Sequence, residues 1–223
     1  MKPRRVVIIG AGGQARETAW YVDQINKHGE TFRLLGFVIS DLSRMGPRDS
    51  AERVIGDHAW LHAHRKEIDG AILGIGTPAT RLSVANELSQ TFPELEWPAV
   101  VHPGAQLDWS SAKMGRGVMV GAGVVGTVHL DLGDFSMLNF GATVGHETRV
   151  GRGSVVNPGA NLSGGVTLGD AVLVGAGAVI LQYLSVGGGA TVGAGAVVTK
   201  DVPAGETVVG IPARTLVRSS HKH

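Results

Sequence analysis

Apolar residues recur along this chain in two different rhythms. Val6-Val7-Ile8-Ile9 is a short β-branched run of the kind that forms a buried parallel strand, and Gly10-Ala11-Gly12-Gly13-Gln14-Ala15 follows at once. A helical stretch from about Arg16 to Lys27 puts Ala19, Val22 and Ile25 on one side at spacings of three. Leu34 to Ile39 reads as a second strand, closed by Ser40 and Asp41. Ala71 to Ile75 reads as a third, ending in Gly76-Thr77-Pro78, and a further helix is expected from about Ala79 to Thr91. The order β-α-β-(α)-β-α means a parallel sheet with crossover helices. Residues 1–97 are therefore expected to form a small α/β domain, a half-Rossmann βαβαβ unit.

From residue 98 the rhythm changes to six. Stepping from Met114 gives Val120, Gly126, Leu132, Leu138, Val144, Val150, Val156, Leu162, Leu168, Val174, Ile180, Val186, Val192 and Val198; only Gly126 is not large and apolar. The next residue is often Gly, as at 115, 121, 145 and 175, and the residue two before is often small, as at Ala142, Ser154, Ala160 and Ala178. A helix of period 3.6 cannot hold a period of six on one face, whereas two-residue strands joined by corners can. Three strands and corners make one triangular coil, so the fifteen positions predict five coils of a parallel β-helix over residues 98–216, with 217–223 as a tail.

Composition agrees with two unlike halves. Ten of the 34 glycines fall in residues 1–100 and 24 in residues 101–223, while aromatics are only 5% of the chain, as an aliphatic coil stack requires. The absence of cysteine excludes a disulfide scaffold, a thiolate zinc site and a thiol nucleophile. A formal net charge of +1 implies no nucleic-acid partner. Residues 171–198 carry no charge, but their period and their glycines argue against a membrane span. No signal-peptide core follows Lys2, Arg4 and Arg5, so a cytoplasmic protein is expected.

Two places carry candidate chemistry. Gly10, Gly12 and Ala15 satisfy G-x-G-x-x-[GA] between a strand and a helix, where small residues let a phosphate approach the positive end of the helix. Asp41 ends the second strand, where a carboxylate can meet a ribose hydroxyl. The plainer alternative is a tight turn with no ligand. A unit of this size holds one mononucleotide-binding half, which argues against a whole dinucleotide. The second place is Gly145-His146-Glu147, at the corner after Val144. Imidazole can take a proton near neutral pH, and a carboxylate can hold its tautomer; the alternative is a solvated corner pair. His129 has no carboxylate beside it in sequence.

The period, together with Val192-Gly193-Ala194-Gly195-Ala196-Val197-Val198-Thr199-Lys200-Asp201 and the closing Gly210-Ile211-Pro212-Ala213-Arg214, resembles the hexapeptide-repeat acyltransferases. With the βα domain in front, the chain is similar to the branch of sialic acid O-acetyltransferase and the N-acetyltransferases of nucleotide-linked 4-amino-sugars. The resemblance covers about Arg4 to Leu216. It implies a left-handed coil, a homotrimer, and acetyl-coenzyme A lying between subunits. It makes His146 the general base with Glu147, and puts Asn139 beside the acceptor amine. Gly164, Ala176 and Ala194 are assigned to acetyl-coenzyme A, with the Gly164 N–H facing the thioester carbonyl. Gly10, Gly12, Gly13, Gln14, Ser40, Asp41 and Gly56 are assigned to the nucleotide-sugar, and no metal is expected.

Three departures stand out. Gln14 replaces a frequent histidine, Ala15 a glycine, and Val155 a histidine that touches the cofactor in some members. The expected activity is acetyl transfer to the amine of a UDP- or GDP-linked amino-sugar, by direct attack. The alternatives are O-acetylation of a sialic-acid-like sugar, or a non-catalytic trimeric scaffold. A metal-dependent hexapeptide enzyme would need more histidines around the coils than His129 and His146.

Overall fold

The computed structural model describes residues 2–216. The tail expected at 217–223 lies outside them. The N-terminal part runs β1 (Arg4–Ile9), α1 (Gly13–Asn26), β2 (Phe32–Ile39), β3 (Val54–Asp57), α2 (His58–His64), β4 (Gly70–Leu73) and α3 (Pro78–Thr91). The sheet is parallel, in the order β3-β2-β1-β4. It holds one strand more than the three read from the sequence. β3 escapes a hydrophobicity pattern because it is a short edge strand between Arg53 and His58, and Val54 and Ile55 are only half-buried.

The remainder is a left-handed parallel β-helix. Two-residue strands pair with the strand eighteen residues on, as Met137–Leu138 does with Val155–Val156, so three hexads make each coil. The first face carries Met119–Val120, Met137–Leu138, Val155–Val156, Leu173–Val174 and Thr191–Val192. The second carries Thr143–Val144 and Asn161–Leu162, and the third Asp131–Leu132 and Arg149–Val150, with their equivalents above and below. The core positions from Val120 to Val198 are buried, as are the small residues two before them: Ala142, Ser154, Ala160, Ala178, Ala190 and Ala196 are all at 0% exposure. Met114 differs, at 39%, because its strand is the outermost of the third face. The space left by Gly126 is filled from either side by Leu107 and Leu130.

The corners have one backbone solution. From Gly117 to Gly195, the third residue after each core position has φ between 54° and 71°. Glycine meets that demand without steric cost, and His129, Phe135, Glu147, Ala171 and Tyr183 meet it against the preference of an L-residue. The glycine directly after a core position has another reason. A Cβ at Gly145 would meet the Gly164 backbone nitrogen at 2.5 Å, so side-chain-free corners are what let successive coils stack.

The two parts share a core. Ala15, Ala19, Tyr21 and Val22 of α1 share a buried cluster with Val6 and Ile8 of the sheet and with Met119, Met137 and Val155 of the first face, the last three each at 1% exposure or less, and Thr18 meets Met119. Val155 is thus spent on packing between the halves. At the far end, Thr207–Val209 and Arg214–Thr215 form an antiparallel pair that adds to the first face, with the Gly210–Ala213 motif as their turn.

Candidate active site

His146 stands two residues after Val144, at the corner between the second and third faces, and its side chain is half exposed. Its Nδ1 lies 3.5 Å from Glu147 Oε2. Gly164 occupies the same place one coil later, directly against the imidazole: a Cβ there would fall within 2.5 Å of His146 Cε1. The two coils are tied by Gly165 N–H donating to His146 O at 2.7 Å and by Tyr183 N–H donating to Gly164 O at 3.0 Å. The Gly164 N–H itself has no acceptor among the described residues. An unused amide beside an imidazole is a pairing that can remove a proton and steady a developing oxyanion.

Glu147 also borders a cleft of about 450 Å³, lined by His129, Asp131, Arg149, Thr167 and Tyr183 among others. His129, Glu147, Gly165 and Tyr183 form one column, each a coil above the last, and all have positive φ. Three side chains held against backbone preference at a single corner mark it out from the other corners. His129, without a carboxylate beside it in sequence, therefore has Glu147 one coil away. Tyr183 lies over Gly165 with its ring edge-on to His146, 6.4 Å between centroids. Stepping by eighteen through the corners, as through the core, would have found both.

Asn139, Ala176 and Ala194 lie on a different edge, the corner between the first and second faces. Asn139 is 5% exposed, and its Oδ1 accepts from Phe140 N–H at 3.0 Å and Tyr21 O–H at 3.4 Å. The left-handed residue of that corner is Gly141, so backbone tolerance does not explain Asn139. Ala176 and Ala194 are exposed on successive coils, where Gly195 N–H donates to Ala176 O at 2.9 Å.

In the N-terminal part a cleft of about 300 Å³ is lined by Gly10, Ser40, Asp41, Asp49, His58 and Thr80, with apolar neighbours. Gly10 has φ +116°, and a Cβ there would meet Gly74 O at 2.8 Å. Gly12 caps α1 without a side-chain hydrogen bond, leaving the N–H groups of the first turn uncapped beside Gly13 and Gln14. Asp41 Oδ1 accepts from Ser43 N–H at 2.8 Å and Ser43 O–H at 2.7 Å, capping a 3-10 turn. Two buried nitrogens here have no partner among the described residues, Gln14 Nε2 and His58 Nε2. Gly56 lies outside the cleft, on β3, with Trp60 packed against it. Among the described residues no group of three or more His, Asp or Glu side chains is placed to hold a metal ion, and no helix is long and apolar enough to cross a membrane.

A βα unit fused to a hexapeptide-repeat β-helix is shared with the structural neighbours of this chain, which are hexapeptide-repeat sugar N-acetyltransferases. One is perosamine N-acetyltransferase PerB from Caulobacter crescentus, solved with CoA and GDP-perosamine: 29% identity, 95% of this chain and 97% of that one, TM-score 0.84. Another is WeeI from Acinetobacter baumannii, at 27% identity, 95% and 99% coverage and a TM-score of 0.78. A third is the acetyltransferase domain of PglB from Neisseria gonorrhoeae, at 27%, 96% and 100%, and 0.65. No family model matches the chain, and no curated protein does.

Proposed function

We propose that this protein transfers the acetyl group of acetyl-coenzyme A to the amine of a nucleotide-linked amino-sugar. The observation that carries the reading is the His146 ring seated against Gly164 with its unused N–H, within an architecture shared over nearly the whole chain with perosamine N-acetyltransferase. That enzyme has also been solved with a histidine changed to asparagine or alanine, in both cases with CoA and GDP-perosamine bound. His146 is the residue proposed for that place here.

Acetyl-coenzyme A supplies the thioester. His146 takes the proton from the attacking amine, Glu147 holds the ring, and the Gly164 N–H donates to the carbonyl oxygen as charge gathers on it. Direct attack needs no nucleophile from the protein, in keeping with a chain that has no cysteine. Asn139, Ala176 and Ala194 stand on another edge of the prism from His146. The reading therefore takes a homotrimer in which the groove between copies joins the two edges, with acetyl-coenzyme A along it. Acetyl-coenzyme A and nucleotide-sugar as substrates make the cytoplasm its compartment.

An acceptor screen tests this. Thiol release from acetyl-coenzyme A should appear with a GDP- or UDP-linked amino-sugar and not with free sialic acid; the reverse pattern would establish the O-acetyltransferase instead.

The nucleotide is proposed to lie with its diphosphate at the uncapped start of α1 and its ribose near Ser40 and Asp41. Gly12→Val is the clean test. A Cβ at Gly12 meets only Asp49 Oδ1, at 3.7 Å, and the backbone there is extended, so the fold accommodates the side chain while a phosphate would not. The acceptor KM should rise at least about tenfold, the loss of roughly one charge-assisted contact, with the acetyl-coenzyme A KM unchanged. Asp41→Ala should act more weakly, and it also loosens the turn capped by Asp41. Equal effects on both KM values would place the nucleotide elsewhere.

A further inference from the structure

A groove of about 530 Å³ runs between α1 and the corner Asn139–Gly141, on the edge that the proposed trimer joins to His146, and no residue of its walls has been given a part in the reaction. Its walls are Glu17, Trp20 and Tyr21 from the helix and Ala122, Gly123 and Phe140 from the coils. Trp20 and Phe140 are 46% and 44% exposed, although both flank a shared core that buries most of its other large apolar groups. The groove is built, not incidental. Trp20 stacks on His102 at 5.2 Å, Tyr21 meets the same ring edge-on, and Tyr21 and Phe140 are both fastened to Asn139 Oδ1. Burial holds His102 towards its neutral form, with Nδ1 accepting from Gly104 N–H at 2.9 Å, and pushes the Tyr21 phenol up to about 12. The one formal charge on the wall is the Glu17 carboxylate, which has no ion-pair partner among the described residues.

Position says what the groove is for. Glu17 lies one turn along α1 from Gly13, and Trp20 and Tyr21 one turn further, so the wall begins about 6 Å from the helix start and continues to about 12 Å. A sugar attached to a diphosphate at that start reaches this distance. We infer that the groove is the subsite that selects an amine-bearing sugar over its hydroxyl counterpart, with Glu17 pairing to the ammonium and Trp20 and Phe140 covering the apolar face of the ring. The aromatic faces suit the pyranose of either sugar, and the one carboxylate favours the amino-deoxysugar over its neutral counterpart. Asn139 then acts as a positioning residue that holds Tyr21 and Phe140 in place.

The inference rests on the proposed N-acetyltransferase activity, and equilibrium binding separates the two. The probes are GDP, GDP-perosamine, and the GDP-linked 6-deoxyhexose that carries a hydroxyl in place of the amine, each titrated into the wild type, Glu17→Gln, Trp20→Ala and Phe140→Ala. The wild type should prefer the amine at least about tenfold at neutral pH. Glu17→Gln should bring that ratio close to one while leaving GDP affinity unchanged. Trp20→Ala and Phe140→Ala should weaken both sugars alike, again without touching GDP. All three residues are at least partly exposed, so the variants should fold, which their circular dichroism verifies. An unchanged ratio in Glu17→Gln, in a protein that still binds and acetylates the amino-sugar, overturns the inference alone. Failure of the wild type to bind any nucleotide-sugar overturns the proposed function with it. A change in oligomer mass, with no change in the sugar ratio, would show the groove to be a contact between copies of this chain.

Discussion

Replacing His146 with alanine should lower kcat at least about a hundredfold, a loss of about 2.7 kcal/mol of transition-state stabilisation. Coenzyme A affinity should scarcely move, because a base acts on the amine and contributes little to holding the donor. Gly164 offers a second approach to the same atoms. Its φ is not in the left-handed region, so alanine costs the backbone nothing there; the added methyl instead falls where the imidazole lies. Gly164→Ala should therefore reduce kcat at least about tenfold through a displaced ring, with the fold intact. Steady-state rates with separate KM determinations check both. A His146→Ala enzyme turning over at wild-type rate would remove the imidazole from the mechanism. A fully active Gly164→Ala enzyme would show that the seated ring is not the reacting arrangement.

His146 and Glu147 were legible because their relation is local, two adjacent residues at a corner whose outward sense follows from the hexad. Gly164 was legible only through a resemblance, and the structure supplies its physical reason in the ring packed against it. The core was legible because one period governs it. The same period, taken three hexads at a time, also sorts the outward positions into an apolar first face at Met119, Met137, Val155 and Leu173 and a charged third face at Lys113, Asp131 and Arg149. That sorting marks the first face as covered. The groove of Glu17, Trp20 and Phe140 could not be read at all, since it exists only where α1 meets a corner far along the chain. β3 was lost for a plainer reason: four residues, one of them glycine and one aspartate, carry too little apolar signal.

Arg81 binds the two halves more tightly than either hydrophobic pattern suggested. It lies on α3 at 0% exposure. Its guanidinium donates to Phe135 O at 2.6 Å and to Leu73 O and Ile75 O at 3.0 Å, with Gly117 O at 3.5 Å. Leu73 ends β4 and Ile75 follows it two residues on, whereas Gly117 and Phe135 are left-handed corner residues of the first coils. Burial draws the Arg81 pKa down to about 9, which still leaves the group cationic at neutral pH, and carbonyl oxygens alone receive the charge. Arg81→Met keeps much of the volume and removes every donor, stranding two well-bonded buried carbonyls and a half-buried one. At about 1–3 kcal/mol for each unsatisfied group, with partial relaxation, the variant should lose about 3–5 kcal/mol. For a chain of this size that is a fall in Tm of roughly 10 °C or more. Arg81→Lys should recover only a small part, since one ammonium cannot span carbonyls on both halves. Thermal and urea unfolding check the loss, and activity measured well below the transition should persist, because Arg81 touches none of the reacting groups. A loss under about 1 kcal/mol would mean that those carbonyls find other donors, and that the aliphatic contact of α1 with the first face is enough to hold the halves together.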